Sequence, residues 1–208
     1  MTKGETVSPE ASDVIFAVEG QSLPQGFHLA LSEAVAEKLP WLRQIESSGL
    51  HLSKTVHGSP GAQSILLSPR TRLWLRVPTS NASAAKALEN TVLLVAGHDL
   101  ETRGCWVKAL EPHSTLICHA LLIGELSEAK ALKHIEKSLK SLKINGHIVC
   151  GKRGARMTAD GPCETIAVMV HGLNAKDSLT LQSLGLGPHR LLGCGLFLAH
   201  KSAAAVGA

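Results

Sequence analysis

The chain reads as an α+β protein of two consecutive βαββαβ units, that is, two tandem ferredoxin-like domains. Three observations predict it. Apolar alternation at period two and helical periodicity follow one another in the order β, α, β, β, α, β. That order then begins again near residue 111. Finally, the 208 residues suit two small domains of about 100 residues each. The expected domains are 1–110 and 111–208, with the boundary at 110–113 and no residue-level identity between them.

In the first unit, residues 1–12 read as a frayed end. Residues 13–19 alternate as a strand through Val14, Phe16 and Val18. Leu23-Pro24-Gln25-Gly26 punctuates, and 27–39 recurs at helical spacing through Phe27, Leu31, Ala34 and Val35 until Pro40 ends it. Residues 50–56 and 71–77 read as strands around a Gly/Ser/Pro loop. An Ala-rich helix over 81–90 and a strand over 91–95, running into a hairpin at Gly97-His98-Asp99, complete the unit.

The second unit starts with an apolar strand at 114–123. Ser127 is placed to cap a helix over 128–143, stopped by Asn145-Gly146. Strands follow at 147–156, which runs into a basic turn, and at 163–170. Asn174 caps a helix through 184, a glycine-rich loop follows, and 194–199 is the last strand before a small-residue tail.

Composition narrows the function classes. Residues 1–110 carry 10 Lys+Arg and 10 Asp+Glu, whereas 111–208 carry 11 and 7, so the net charge of +4 resides in the second half. That half is the better candidate to meet a polyanion. The five cysteines include no C-x-x-C pair, which argues for a reducing compartment and against a zinc cage. With no long apolar run and no signal-type start, the expected location is cytoplasmic, with no membrane partner. Tyrosine is absent and Phe and Trp number three each, which disfavours bases stacking on a sheet face as in an RRM.

The most informative segment is Gly185-Leu186-Gly187, Pro188-His189-Arg190-Leu191-Leu192, Gly193-Cys194-Gly195. Two glycine doublets around a basic centre suit a backbone-lined clamp whose N–H groups face an anion, with His189 and Arg190 supplying charge. A dinucleotide fingerprint is excluded. Arg190 occupies its third glycine, a helix precedes it, and no acidic residue follows.

Two of the eleven histidines stand out by position. His28 opens the first helix, where the helix N-terminus favours a neutral, proton-accepting imidazole. His51 lies on the strand Leu50-His51-Leu52. The others form no metal-ligating spacing, and no cofactor is expected. Lys130, Lys133, Lys137 and Lys140 fall on one helical face opposite Ala131, Ile135 and Leu139. Lys152, Arg153 and Arg156 belong to a basic, glycine-flanked hairpin suited to a nucleic-acid groove. Arg70, Arg72 and Arg76 alternate along a strand and line one sheet face, either solvated or facing RNA.

Together, the paired halves and the glycine clamp resemble the CRISPR-associated endoribonucleases of the RAMP superfamily that cut repeat RNA into guide RNAs. The segments Asp177-Ser178-Leu179, Leu191 to Phe197, Leu39-Pro40-Trp41-Leu42 and Thr71 to Pro78 are similar to the small branch of myxobacterial-type type I systems. The resemblance implies metal-free attack of a ribose 2′-OH on the adjacent phosphate, giving 2′,3′-cyclic phosphate and 5′-OH ends. It also implies a histidine base, His28 or His51, with Lys54 or Arg72 stabilising the transition state and a rate that rises through the ordinary imidazole range. CRISPR repeat RNA is the implied partner, held by Gly185, Gly187, His189, Arg190, Gly193 and Gly195 together with Lys152, Arg153 and Arg156. Other subunits of a CRISPR effector complex are further implied partners. The second reading is a non-catalytic RAMP subunit that holds guide RNA in such a complex.

Overall fold

The computed structural model describes residues 10–57 and 63–200. The N-terminal half contains strands β1 (Ala11–Glu19), β2 (Ser22–Pro24), β3 (Gly49–Ser53), β4 (Val56–His57), β5 (Ser64–Leu66), β6 (Arg72–Pro78), β7 (Val92–Val95) and β8 (His98–Ala109), with helices α1 (His28–Lys38) and α2 (Ala82–Ala85). Its main sheet has the order β3-β6-β1-β8-β7, every pair antiparallel. The C-terminal half contains β9 (Thr115–Leu122), α3 (Glu128–Ser141), β10 (His147–Thr158), β11 (Gly161–His171), α4 (Ala175–Leu184) and β12 (Leu198–Ala199), in the sheet order β10-β11-β9-β12. In each half the first strand lies between the third and fourth strands of the motif, which is the split-βαβ arrangement of a ferredoxin-like fold.

Each of the two main sheets packs one face on helices. Val14, Phe16, Leu50, Leu73 and Leu75 pack with Leu31 and Val35 of α1, and Leu116, Cys118, Ile166 and Val168 pack with Ala131, Ile135 and Leu139 of α3. The four lysines of α3 remain exposed. Asn174 accepts the Asp177 N–H at 2.8 Å, the cap its position predicts. Among the described residues, no helix is long and apolar enough to cross a membrane.

Four elements differ from the sequence reading, each for a local reason. The strand at 92–95 is an edge, and β8 takes the place beside β1. A bulge at Gly104, opposite Phe16 and Ala17, breaks the alternation that would have revealed β8, and its first stretch, residues 98–103, is mostly polar. Ala96 and Gly97 both have positive φ (50° and 82°), the geometry of a tight two-residue hairpin between β7 and β8. The strand expected over 50–56 stops at Ser53 because Lys54 has a φ of 56°, and its carbonyl accepts the Thr71 hydroxyl at 3.1 Å. Strands β2, β4 and β5 form a separate small sheet. The Ala-rich helix shrinks to α2 between two 3-10 turns, and the Leu88 carbonyl is taken by the Thr91 hydroxyl at 2.8 Å. Lastly, 194–199 pairs as a strand only at Leu198 and Ala199, because the Gly195 carbonyl is taken by the Leu186 N–H and the Phe197 carbonyl by Arg76.

A buried ion pair of the N-terminal half also reaches the other half. Arg76 of β6 holds Asp13 of β1 in a fork, with Nε to Oδ1 at 2.8 Å and Nη2 to Oδ2 at 2.9 Å. Its Nη1 reaches across to the carbonyls of Gln182 (3.0 Å) and Phe197 (2.8 Å) in the other half.

Candidate active site

All four glycines of the loop have positive φ, from 61° to 74°. Gly185 ends α4, its N–H donating to the Leu181 carbonyl. The doublets lock together: Leu186 N–H donates to the Gly195 carbonyl at 3.1 Å, and Gly195 N–H donates to Ala120 of β9 at 2.8 Å. Gly193 N–H turns back to Arg190 at 3.0 Å. A Cβ at Gly195 would collide with the Leu186 carbonyl, and one at Gly185 with the Arg190 guanidinium. Glycine is therefore required for close backbone packing. The amides of Gly185, Gly193 and Gly195 are consumed within the protein and do not form the anion cradle expected from sequence.

Arg190 is buried, and its Nη2 donates to the Ser183 carbonyl at the C-terminal end of α4, at 3.1 Å. Burial, with Arg76 nearby, lowers its pKa to about 10. Gly187 and His189 are the outward part of the loop, and His189 itself adopts the left-handed region at a φ of 62°. With Leu29, Ser32 and Arg43 they border a groove of about 680 Å3.

On its other side the loop closes a smaller pocket, of about 240 Å3, lined by His28, His51, His119, Arg156, Thr55 and Gly193 among others. His28 enters from the first turn of α1, its ring stacked on Phe27 with centroids 4.0 Å apart. His51 enters from β3, stacked on Trp74 at 5.6 Å. The C-terminal half supplies His119 from β9 and Arg156 from β10. Gly193 fits closely between them: a Cβ there would stand 3.3 Å from the Leu50 carbonyl oxygen and 3.8 Å from His28 Cδ2.

Burial dominates the pocket's electrostatics. It lowers the His28 pKa to about 3, with the Arg156 charge adding to the effect. His51 falls to about 4 through burial and Arg76, partly offset by Asp13 and further lowered by His119. His119 is lowered by burial and by His200. His28 Nδ1 and Arg156 Nε are buried without a hydrogen-bond partner among the described residues. The Arg156 guanidinium also meets the Cys194 thiol. An unpaired guanidinium hydrogen beside neutral imidazoles suits an incoming oxyanion whose neighbouring hydroxyl must lose a proton.

Neutral burial makes the fold acid-sensitive. Both histidines have folded-state pKa values below their unfolded values, so the unfolded chain binds more protons below about pH 6.5. Stability is complete above that value and is lost as pH falls towards about 4 and about 3, where His51 and His28 titrate in the folded protein. The melting temperature is expected to drop between about pH 7 and about pH 5. Replacing both histidines with glutamine should flatten that dependence, and an unchanged slope would refute the assignment.

The remaining candidates do not converge on this pocket. Arg153 is tied to Glu164 at 2.7 Å and to the Leu126 carbonyl. Lys152 is exposed on the body of β10, while the hairpin turn itself lies at residues 159–160. Lys54 is exposed after β3, and Arg72 lies over the Trp106 ring at 5.9 Å. His119 escaped the sequence reading because a single histidine in an apolar strand carries no motif. Only its place between buried Cys118 and Ala120 marks it as outward-facing. Among the described residues, no three His, Cys, Asp or Glu side chains gather as a metal ion would need.

Two ferredoxin-like units interlocked through a glycine-rich loop define a tandem ferredoxin-like protein. The family profile described as Cas6 Crispr matches residues 12–202. A curated relative, the CRISPR-associated endonuclease Cas6 of Myxococcus xanthus (strain DK1622), is 27% identical over 195 residues, covering 93% of this chain and 84% of the relative. Among solved structures, a CRISPR associated protein Cas6 superposes with a TM-score of 0.63 at 12% identity, covering 92% of this chain and 100% of that one. A structure described as an RAMP protein binding different RNA substrates gives a TM-score of 0.62 at 11% identity, with 92% and 99% covered. The chain belongs to the Cas6 family.

Proposed function

We propose that the chain is a metal-independent endoribonuclease that binds CRISPR repeat RNA and cuts the precursor into guide RNAs. The observation that carries this reading is the convergence of His28, His51, His119 and Arg156 on one pocket where the two halves meet. The naming of the Myxococcus xanthus relative as an endonuclease supports the reaction class.

The pocket's residue types match the needs of internal phosphoryl transfer. Neutral His28 takes the proton of the ribose 2′-OH, whose oxygen attacks the adjacent phosphorus, and His51 is the alternate base. Arg156 donates to a non-bridging oxygen as charge accumulates in the transition state. His119, protonated once the phosphate enters, returns a proton to the departing 5′-oxygen. The products are a 2′,3′-cyclic phosphate and a 5′-OH. Gly187, His189 and Lys152 are exposed and contact the bound RNA outside the pocket, whereas Gly185, Gly193, Gly195 and Arg190 shape the loop that closes it.

Incubating the purified protein with repeat RNA in EDTA tests this directly. Full cutting with cyclic-phosphate ends is expected. Loss of cutting in EDTA would overturn the metal-free chemistry, and tight retention of uncut RNA with or without metal would instead identify an RNA-holding subunit.

A further inference from the structure

The main N-terminal sheet has a second face, opposite the one packed on α1 and α2. Core residues such as Val14, Phe16, Leu50, Leu73 and Leu75 alternate along the strands with residues on that other face. Strand register places four of these in one row: His51 opposite Trp74, Trp74 opposite Ile15, and Ile15 opposite Trp106. From the spacing of neighbouring strands the row spans about 14 Å.

Its aromatic side chains are held in place. The His51 and Trp74 rings stack at 5.6 Å, and Trp74 Nε1 donates to the Ser53 hydroxyl at 2.8 Å. Ile15 is buried between the two indoles' positions, while Trp106 is 44% exposed. Two of the chain's three tryptophans thus share one row, so the sparse aromatics that disfavour sheet-face stacking by composition are gathered on one face. The next row brings Arg72 and Arg103 to either side of Ala17. Arg72 lies 5.9 Å from the Trp106 ring centre and donates to the carbonyls of Pro69 and Thr71, which leave its charge in place. Arg103 is shared with Glu19 and Glu101.

We propose that the row from His51 through Trp74 to Trp106 is a stacking platform for single-stranded nucleotides flanking the cleavage point. The inference rests on the RNA-cutting reading above and adds to it where the strand runs beyond the pocket. Continuity is the main argument for RNA as occupant. His51 lines the pocket and also a cavity of about 250 Å3 that contains Trp74, Arg76, Lys108 and His113, so the two spaces share one wall. Charge is the second: the exposed indole carries a guanidinium on its face, a pairing suited to a base with its phosphate.

Tryptophan fluorescence tests the platform separately from cleavage. Trp41 lies in the turn after α1, away from this row, and Trp41→Phe removes its background. Short single-stranded oligouridine is expected to quench the remaining emission. Trp106→Ala should weaken binding of a repeat hairpin carrying a single-stranded flank by roughly five- to a hundredfold, the effect of losing one stacked base. The same variant should cut a hairpin without the flank at the wild-type rate, and Trp106→Leu serves as a second variant that keeps apolar bulk. Absence of quenching, or equal flank affinity in wild type and Trp106→Ala, would overturn the platform. So would loss of binding to a second protein with RNA affinity unchanged, which would assign the face to a protein partner. A wild type that quenches with oligouridine yet cuts no repeat RNA would instead refute the cleavage reading.

Discussion

Replacing His28 with alanine is expected to slow repeat-RNA cleavage by about 10²–10⁴-fold, the usual effect of removing a general base. RNA affinity should change little, since most contacts to nucleic acid are made to the backbone by other residues. The structure also sets the pH dependence. With its pKa lowered to about 3, His28 is already unprotonated across the ordinary imidazole range. The kcat/KM profile reports the free enzyme, so its acid limb should lie below that range and not rise through it, as sequence position alone had suggested. If His51→Ala abolishes cutting while His28→Ala spares it, the base is His51. The acid has its own test. His119→Ala should be slow on ordinary RNA yet recover on a substrate whose 5′-bridging oxygen is replaced by sulfur, because a thiolate leaves without a proton. His28→Ala should show no such recovery. Equal behaviour of the two variants on the sulfur substrate would remove His119 from the reaction.

Replacing Arg76 with alanine is expected to cost about 3–5 kcal/mol of unfolding free energy, read from a chemical denaturation midpoint. The reason is the buried partner left behind. Arg76 is 4% exposed and Asp13 6%, so the variant keeps a carboxylate in the interior with its fork removed. Two carbonyls of the other half, at Gln182 and Phe197, lose their donor as well. Changing both partners, Asp13→Leu with Arg76→Met, should recover much of that stability, because the uncompensated charge is gone. A loss of under about 1 kcal/mol in Arg76→Ala would mean that water replaces the guanidinium and that Arg76 does not fasten the halves.

The parts of the fold legible in the sequence were those governed by a single local rule. Helix α3 follows from Ala131, Ile135 and Leu139 at helical spacing, and α4 from the Asn174 cap. Strand β8 was hidden because a bulge and a polar first stretch remove its alternation, although it is an interior strand of its sheet. The loop shows a similar division. Its glycines advertise unusual backbone geometry, but the sequence does not say whether freed amides face a ligand or a neighbouring carbonyl, and here several face carbonyls. His28 and His51 are visible as histidines at suggestive positions. Their meeting with Arg156 and His119 depends on how one half docks on the other, and no spacing within either half encodes it.

The composite pocket bears on how the protein is made. Synthesis delivers His28 and His51 first, His119 and Arg156 well afterwards, and Gly193 last of all. A nascent chain carrying only the first ferredoxin-like unit holds His28 and His51 but neither Arg156 nor His119, so the pocket is complete only when the glycine loop emerges and closes on β9.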